Sequence, residues 1–250
     1  MTRLLAILRV TTRHLLGGRR ILGLGLIGLV PAVIMWFTGR GATAATAFGR
    51  YHEAPLIVVL AIVLPIVTIV LASGALGDER REHTLSFLLV RPVSRPLIVT
   101  AKLVAAWASS MLVVGGSAAA TAGILSLQTG DSSVMGPTLV AVAVGTAAYA
   151  AVFLVIGYLT SRAVLAGLVF VFVWESGIAF ALAQFANFSL YRIGVTAYVG
   201  LVPESRGLLS DTLGSLAPGA GGAAAKALVL AALAIAASAW LLRRSDATIE

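Results

Sequence analysis

Six apolar runs, each close to the length that crosses a bilayer, dominate this sequence and leave almost no soluble architecture open to it. They cover residues 21–38, 54–76, 97–127, 137–159, 163–182 and 223–242. A hydrocarbon core of about 30 Å needs about 20 predominantly apolar residues in a helix rising 1.5 Å per residue. Lipid offers no partner for a bare peptide group, so runs of this length must satisfy their own backbone as helices. The third run is longer than a span needs, and its first turns, around Lys102, are expected outside the hydrocarbon. The expectation is therefore an all-α integral membrane protein with six transmembrane helices in one domain.

Composition agrees with this reading. Charged residues make up only 11% of the 250, against about 25% in soluble domains. The 18 basic and 10 acidic residues give a net charge of +8. In a soluble protein that balance would suggest nucleic acid, but here the basic residues gather at the ends of apolar runs. There they act as topology signals and contacts to lipid headgroups, so no nucleic-acid partner is expected. With the N-terminus inside, thirteen basic residues fall on the inner side and five outside. The positive-inside rule then puts both termini in the cytoplasm. The 26 glycines suit close helix packing in lipid. The absence of cysteine excludes disulfides, thiolate metal sites and cysteine nucleophiles.

Residues 1–20 precede the first run. Leu4, Leu5, Leu8, Leu15 and Leu16 alternate there with Arg3, Arg9, Arg13 and His14, which predicts an amphipathic helix lying in the interface. A signal peptide competes, because Ala42-Thr43-Ala44 and Ala45-Thr46-Ala47 resemble cleavage sites, but the basic region is long and five more spans follow. Pro31 is expected to kink the first span, and Arg40, Arg50, His52 and Glu53 to lie in a short polar loop before the second. His14 and His52 stand alone and read as interfacial residues rather than ligands.

The one charge-dense interval lies between the second and third runs, at 78–96. Leu85, Leu88 and Leu89 fall on one helical face, and Glu79, Arg80, Glu82, His83 and Ser86 supply the other. Arg91-Pro92-Val93-Ser94-Arg95-Pro96 then breaks the helix. An ordinary basic loop held by lipid phosphates is one reading of such a stretch.

The order of residues favours another. Glu79-Arg80-Arg81-Glu82-His83-Thr84-Leu85, then Leu88-Leu89, then Pro92-Val93-Ser94-Arg95 and finally Lys102 resemble the cytosolic loop of ABC-2 type transporter permeases. His83 departs from the pattern, which often has glycine there. The resemblance implies that this loop carries a coupling helix that docks on a separate ATP-hydrolysing subunit, through Glu79, Arg80, Arg81, Glu82, His83, Thr84, Leu85, Leu88, Leu89, Arg91, Pro92, Ser94 and Arg95. It also implies an interfacial helix before the first span. The implied partners are two ATP-binding subunits, which would hold ATP and magnesium, and a second permease copy or a homologous chain, within a bacterial cytoplasmic membrane.

Within the spans, Glu175 is the sharpest residue. It lies in Val173-Trp174-Glu175-Ser176-Gly177, about 12 residues into the fifth run and so near mid-bilayer. A charge there costs at least about 2.5 kcal/mol, so it needs a partner helix, a wet cavity or a proton. A tryptophan–glutamate pair in this helix also looks like one branch of the ABC-2 permeases. Trp174, Glu175, Gln184 and Asn187 are the candidates for a translocation path, while a structural hydrogen bond to a neighbouring helix explains Glu175 equally well. Residues 183–222 carry apolar patches too short to span, and the resemblance implies small re-entrant helices there that gate an exit.

No G-x-x-x-x-G-K-[ST], HExxH or G-x-S-x-G motif occurs, so neither ATP binding nor catalysis is expected in this chain, and no metal or cofactor site is assigned. The leading expectation is the permease subunit of an ATP-driven exporter of a lipid, drug, peptide or polysaccharide-like substrate. The alternatives are an intramembrane enzyme using Glu175 on a lipid-linked substrate and a non-transporting membrane anchor for an ATPase.

Overall fold

The computed structural model describes residues 2–81, 94–181, 183–209 and 219–246, and every apolar run within them is helical. Helix α1 is Thr2–Leu15 and α2 is Arg19–Gly39. Gly18, with φ +74°, makes the corner between them in a backbone region that favours glycine. Pro31 lies inside α2 without ending it.

The second span starts earlier than its apolar pattern suggests. The expected polar loop is helix α3, Ala44–Glu53, opened by the Thr43 side chain, which accepts from the Thr46 amide. A one-residue irregularity at Ala54 precedes Pro55, which sits at a first-turn position where its missing N–H costs nothing. A π-helical turn, Val58–Val63, then leads into α4, Leu64–Arg81. Tyr51 and His52 of α3 point inward, while Arg50 and Glu53 are exposed.

Helix α5 is Arg95–Thr129. Its 35 residues make about 52 Å at 1.5 Å each. Gly115 and Gly116 leave it unbroken, and Gly130, with φ +76°, caps it through an amide bonded to Ser126. In the turn that follows, the Asp131 carboxylate accepts from the Ser133 amide and hydroxyl, which holds it below the usual carboxylate range. Helix α6 is Met135–Leu159, α7 is Ala163–Val169 continued by a π-helical stretch, Phe170–Ile178, and α8 is Leu190–Val199. The last helix, α9, is Ala220–Asp246. No strand occurs among the described residues.

Among the described residues, five helices are long and apolar enough to cross a membrane: 20–39, 44–81, 95–129, 135–159 and 220–244. The expected fifth span, 163–182, is a shorter apolar helix, Ala163–Ile178, followed by a further helical turn, Ala179–Ala181. The chain then turns through a 3-10 stretch, Ala183–Phe188, into α8. Segment 183–222 is thus substantially helical where described, and α8 is buried in the bundle.

Helix α6 is the hub, packing against α4, α5, α8 and α9. Two close crossings explain its small residues. A side chain at Gly157 would run into the Ser73 backbone, and one at Gly77 would lie 2.5 Å from the Gly157 carbonyl. Higher on α6, a side chain at Gly145 would meet Leu64 at 2.8 Å and the Gly194 backbone at 3.6 Å. Small residues here let backbones approach, which is how helices associate where lipid supplies no hydrophobic drive. Helix α2 lies mainly against α5, and its other side exposes Leu22, Leu26, Leu29 and Phe37.

Candidate functional site

The described part of the charge-dense interval is the last turn of α4, and it is tied to the bundle on several sides. Asp78, whose side chain is 8% exposed, takes the Arg20 guanidinium of α2 at 3.1 Å and the Arg81 guanidinium of its own helix. His14 of α1 lies 3.5 Å from the same carboxylate. One residue on, Glu79 accepts from Lys102 of α5 at 2.5 Å, and the same ammonium donates to the Ala75 carbonyl at 2.7 Å. Lys102, near the helix end, does not stand in open contact with water. It is 1% exposed, folded into the α4–α5 contact.

Arg80 and Arg81 complete the arrangement. Arg80 donates to the Tyr158 carbonyl at the end of α6 and lies over the Tyr158 ring, 5.0 Å from its centroid. Arg81 also donates to the Ser161 carbonyl, 2.9 Å away, in the turn before α7. Each cation thus reaches a carboxylate or a helix-terminal carbonyl, the groups that gain most from a positive charge. Of the expected docking residues, Glu79, Arg80 and Arg81 are brought together here, and Ser94 and Arg95 open α5. Glu82, His83, Thr84, Leu85, Leu88, Leu89, Arg91 and Pro92 lie outside the described residues.

The second group surrounds Glu175. Its carboxylate does not reach along its own helix to Ser176. It accepts from the Ser189 hydroxyl at 2.5 Å and from the Leu190 amide at 2.7 Å. The Tyr149 hydroxyl and the Tyr191 amide lie in its electrostatic reach. Ser189 is the residue before α8, and its oxygen also accepts from the Arg192 amide at 3.2 Å. Glu175 is thus a second cap on a helix that starts inside the protein, where unpaired N–H groups would otherwise be costly. The positive end of the α8 dipole in turn favours the carboxylate. Trp174 stacks between Phe170 and Phe185, continuing a ladder from Tyr149 through Phe153. Asn187 is exposed, and the side chain of Gln184 lies outside the described residues.

A sequence model described as ABC-2 family transporter protein matches residues 19–190, more than two thirds of the chain. The chain belongs to the ABC-2 transporter family. No curated protein matches it. The match runs from the start of α2 to the first residue of α8 and includes both groups just described apart from His14, Tyr191 and Arg192. The protein is thus a multi-pass membrane permease of an ABC transporter family.

Sequence reasoning missed part of what this ABC-2 chain assembles. His52, expected at an interface, is buried, with Nδ1 2.7 Å from the Phe48 carbonyl and Nε2 2.8 Å from the Tyr198 hydroxyl of α8. Beside it, Tyr51 bonds Thr138 of α6 at 2.7 Å. The signal was the helical spacing of Ala47, Tyr51 and Pro55 on one face, hidden because Arg50, His52 and Glu53 made the segment read as a loop. Asp78 carried no role beyond composition, and only the fold shows it to be the center of an ion network.

Proposed function

We propose that this chain is the membrane-spanning subunit of an ATP-driven exporter, acting with two separate ATP-hydrolysing subunits that dock on residues 79–95. The observation that carries the reading is the family match, which spans the docking stretch and the helices on both sides of it. The chain contributes no chemistry. Its task is to convert closure of the ATP-binding subunits, which hold ATP and magnesium, into a switch between inward- and outward-facing arrangements.

Ala163–Ile178 and α8 act together as the sixth crossing, a broken one, with its interruption inside the protein where Ser189 and Glu175 satisfy the freed amides. Six crossings enclose too narrow a bundle for a pathway, so two copies, or one copy and a homologous chain, pair in a bacterial cytoplasmic membrane with their termini inside. Trp174, Glu175, Gln184 and Asn187 border the path taken by a lipid, drug, peptide or polysaccharide-like substrate.

The test is affinity purification of the tagged chain in mild detergent from cells coexpressing candidate ATPases. A nucleotide-hydrolysing partner should co-elute and be lost on Glu82→Lys with Leu85→Asp. A single chain that elutes alone with every candidate would overturn the docking reading.

A further inference from the structure

The root of the docking stretch is fastened to four other parts of the molecule within four consecutive residues. Asp78 holds α2 through Arg20 and faces α1 through His14. Glu79 holds α5 through Lys102. Arg80 and Arg81 hold the end of α6 and the following turn. Asp78 and Lys102 are buried while Arg20 and Arg81 stay partly exposed, and a buried charge depends on its partners because it is stripped of water. A segment held by one such contact can hinge about it, but a segment held on four sides moves only with what holds it.

We propose that this ion knot is the element that carries motion from the docking stretch into the spans, with Lys102 as its positioning residue. The inference rests on reading residues 79–95 as the docking stretch. Lys102 is singled out by its geometry. It is the most buried charge of the knot, and its ammonium bridges two successive sites on α4, the Ala75 carbonyl and the Glu79 carboxylate. Ala75 and Glu79 are one helical turn apart, so a single side chain grips a full turn of α4 from α5. Displacing the end of α4 therefore pulls the start of α5, which runs the length of the bundle, and Asp78 passes the same displacement to α1 and α2. Glu79 is turned toward this grip, so it acts on the partner through the position of α4.

The chain has no cysteine, so two introduced ones can be spin-labelled without background. Labels at Ser86→Cys, within the docking stretch, and Leu127→Cys, exposed at the far end of α5, report the distance between docking stretch and bundle. In the complex with its ATPase, adding ATP and vanadate should change that distance. In Lys102→Met, which removes the bridging ammonium and leaves the docking stretch untouched, the ATPase should still co-purify and hydrolyse ATP while the distance change is lost. Lys102→Arg should restore it, which a role in folding alone would not require. A full distance change in Lys102→Met overturns the proposal. If that variant does not fold, Arg20→Gln, which frees Asp78 from α2 at a half-exposed site, should diminish the same change, and an undiminished change overturns the proposal. If the unaltered chain captures no ATPase, the docking reading fails by itself, and the knot is judged on the chain alone. Lys102→Met should then broaden the distance distribution between Ser86→Cys and Leu127→Cys, and an unchanged width overturns the proposal.

Discussion

The two ends of the bundle handle buried polarity in opposite ways. At the charged end, Asp78, Glu79, Arg20, Arg81 and Lys102 pair as full ions. In the other half, Glu175 is satisfied by a hydroxyl and an amide at the start of α8, with Arg192 in its electrostatic reach, while His52 and Tyr198 join by a hydrogen bond. The difference bears on what each region can do. Ion pairs are costly to break one partner at a time, so they suit a joint that must stay closed. Hydrogen bonds from hydroxyls and a helix terminus contribute about 0.5–2 kcal/mol each, so they suit an element that must settle precisely yet can be released. On the proposed reading, one end transmits and the other is displaced.

The sharpest way to break this contrast is to strand a charge. Glu79→Gln leaves the Lys102 ammonium, 1% exposed, with the Ala75 carbonyl and no anion but the more distant Asp78. Removing one partner of a buried pair costs about 3–5 kcal/mol. Lys102→Met should cost less, because the Glu79 side chain is 29% exposed and can turn to water. The double variant should lie near the unaltered chain. Unfolding in a denaturing-detergent titration would rank the three, and equal losses for both single variants would show that the two charges are not differently buried.

A smaller effect is expected at the hydrogen-bonded end. His52→Phe keeps the ring beside Phe48 and Tyr198 but leaves the fully buried Tyr198 hydroxyl without its partner. Stranding one buried hydroxyl costs about 1–3 kcal/mol. Adding Tyr198→Phe should recover part of it, since both polar groups are then gone. The same denaturant titration measures the cycle, and a recovery of zero would mean that the His52–Tyr198 bond contributes nothing. The coupling should stay well below that of Glu79 and Lys102, and a larger value would erase the distinction between the two ends.

The same contrast explains what the sequence made legible. Apolar runs and the order of residues 79–102 were enough for an all-helical membrane chain and for its family, because lipid leaves the backbone few choices. The change to a 3-10 stretch at Ala183 was not legible: residues 163–182 are apolar apart from Glu175-Ser176, and only the later Ser189 marks a new helix start. Residues 44–53 failed in the other direction, since a charged composition hid a helix whose inward face carries Tyr51 and His52. Glu175 was conspicuous in one dimension, but its partners come 14 and 15 residues later, across a turn. Lys102 stood near the end of a run and read as a topology signal, because nothing local announces that α4 lies over it.

Glu175→Gln gives the smallest expected loss and the finest test of the contrast. An amide keeps one acceptor oxygen for either Ser189 or Leu190 and loses the second, and it removes the negative charge facing the N-terminus of α8. Charge against a helix terminus contributes about 0.3–1 kcal/mol at exposed sites and up to about 2 kcal/mol when partly buried, so the loss should be about 1 kcal/mol. Glu175→Ala should cost more, because both donors are then unpaired. If Glu175 only caps α8, export by the assembled transporter should fall in step with stability across Gln and Ala. If it also borders the path, Gln should abolish export while the bundle still unfolds near the unaltered denaturant concentration. Export and unfolding measured on the same three chains separate these outcomes, and a Gln variant unchanged in both would remove Glu175 from the pathway and leave α8 held by Ser189 alone.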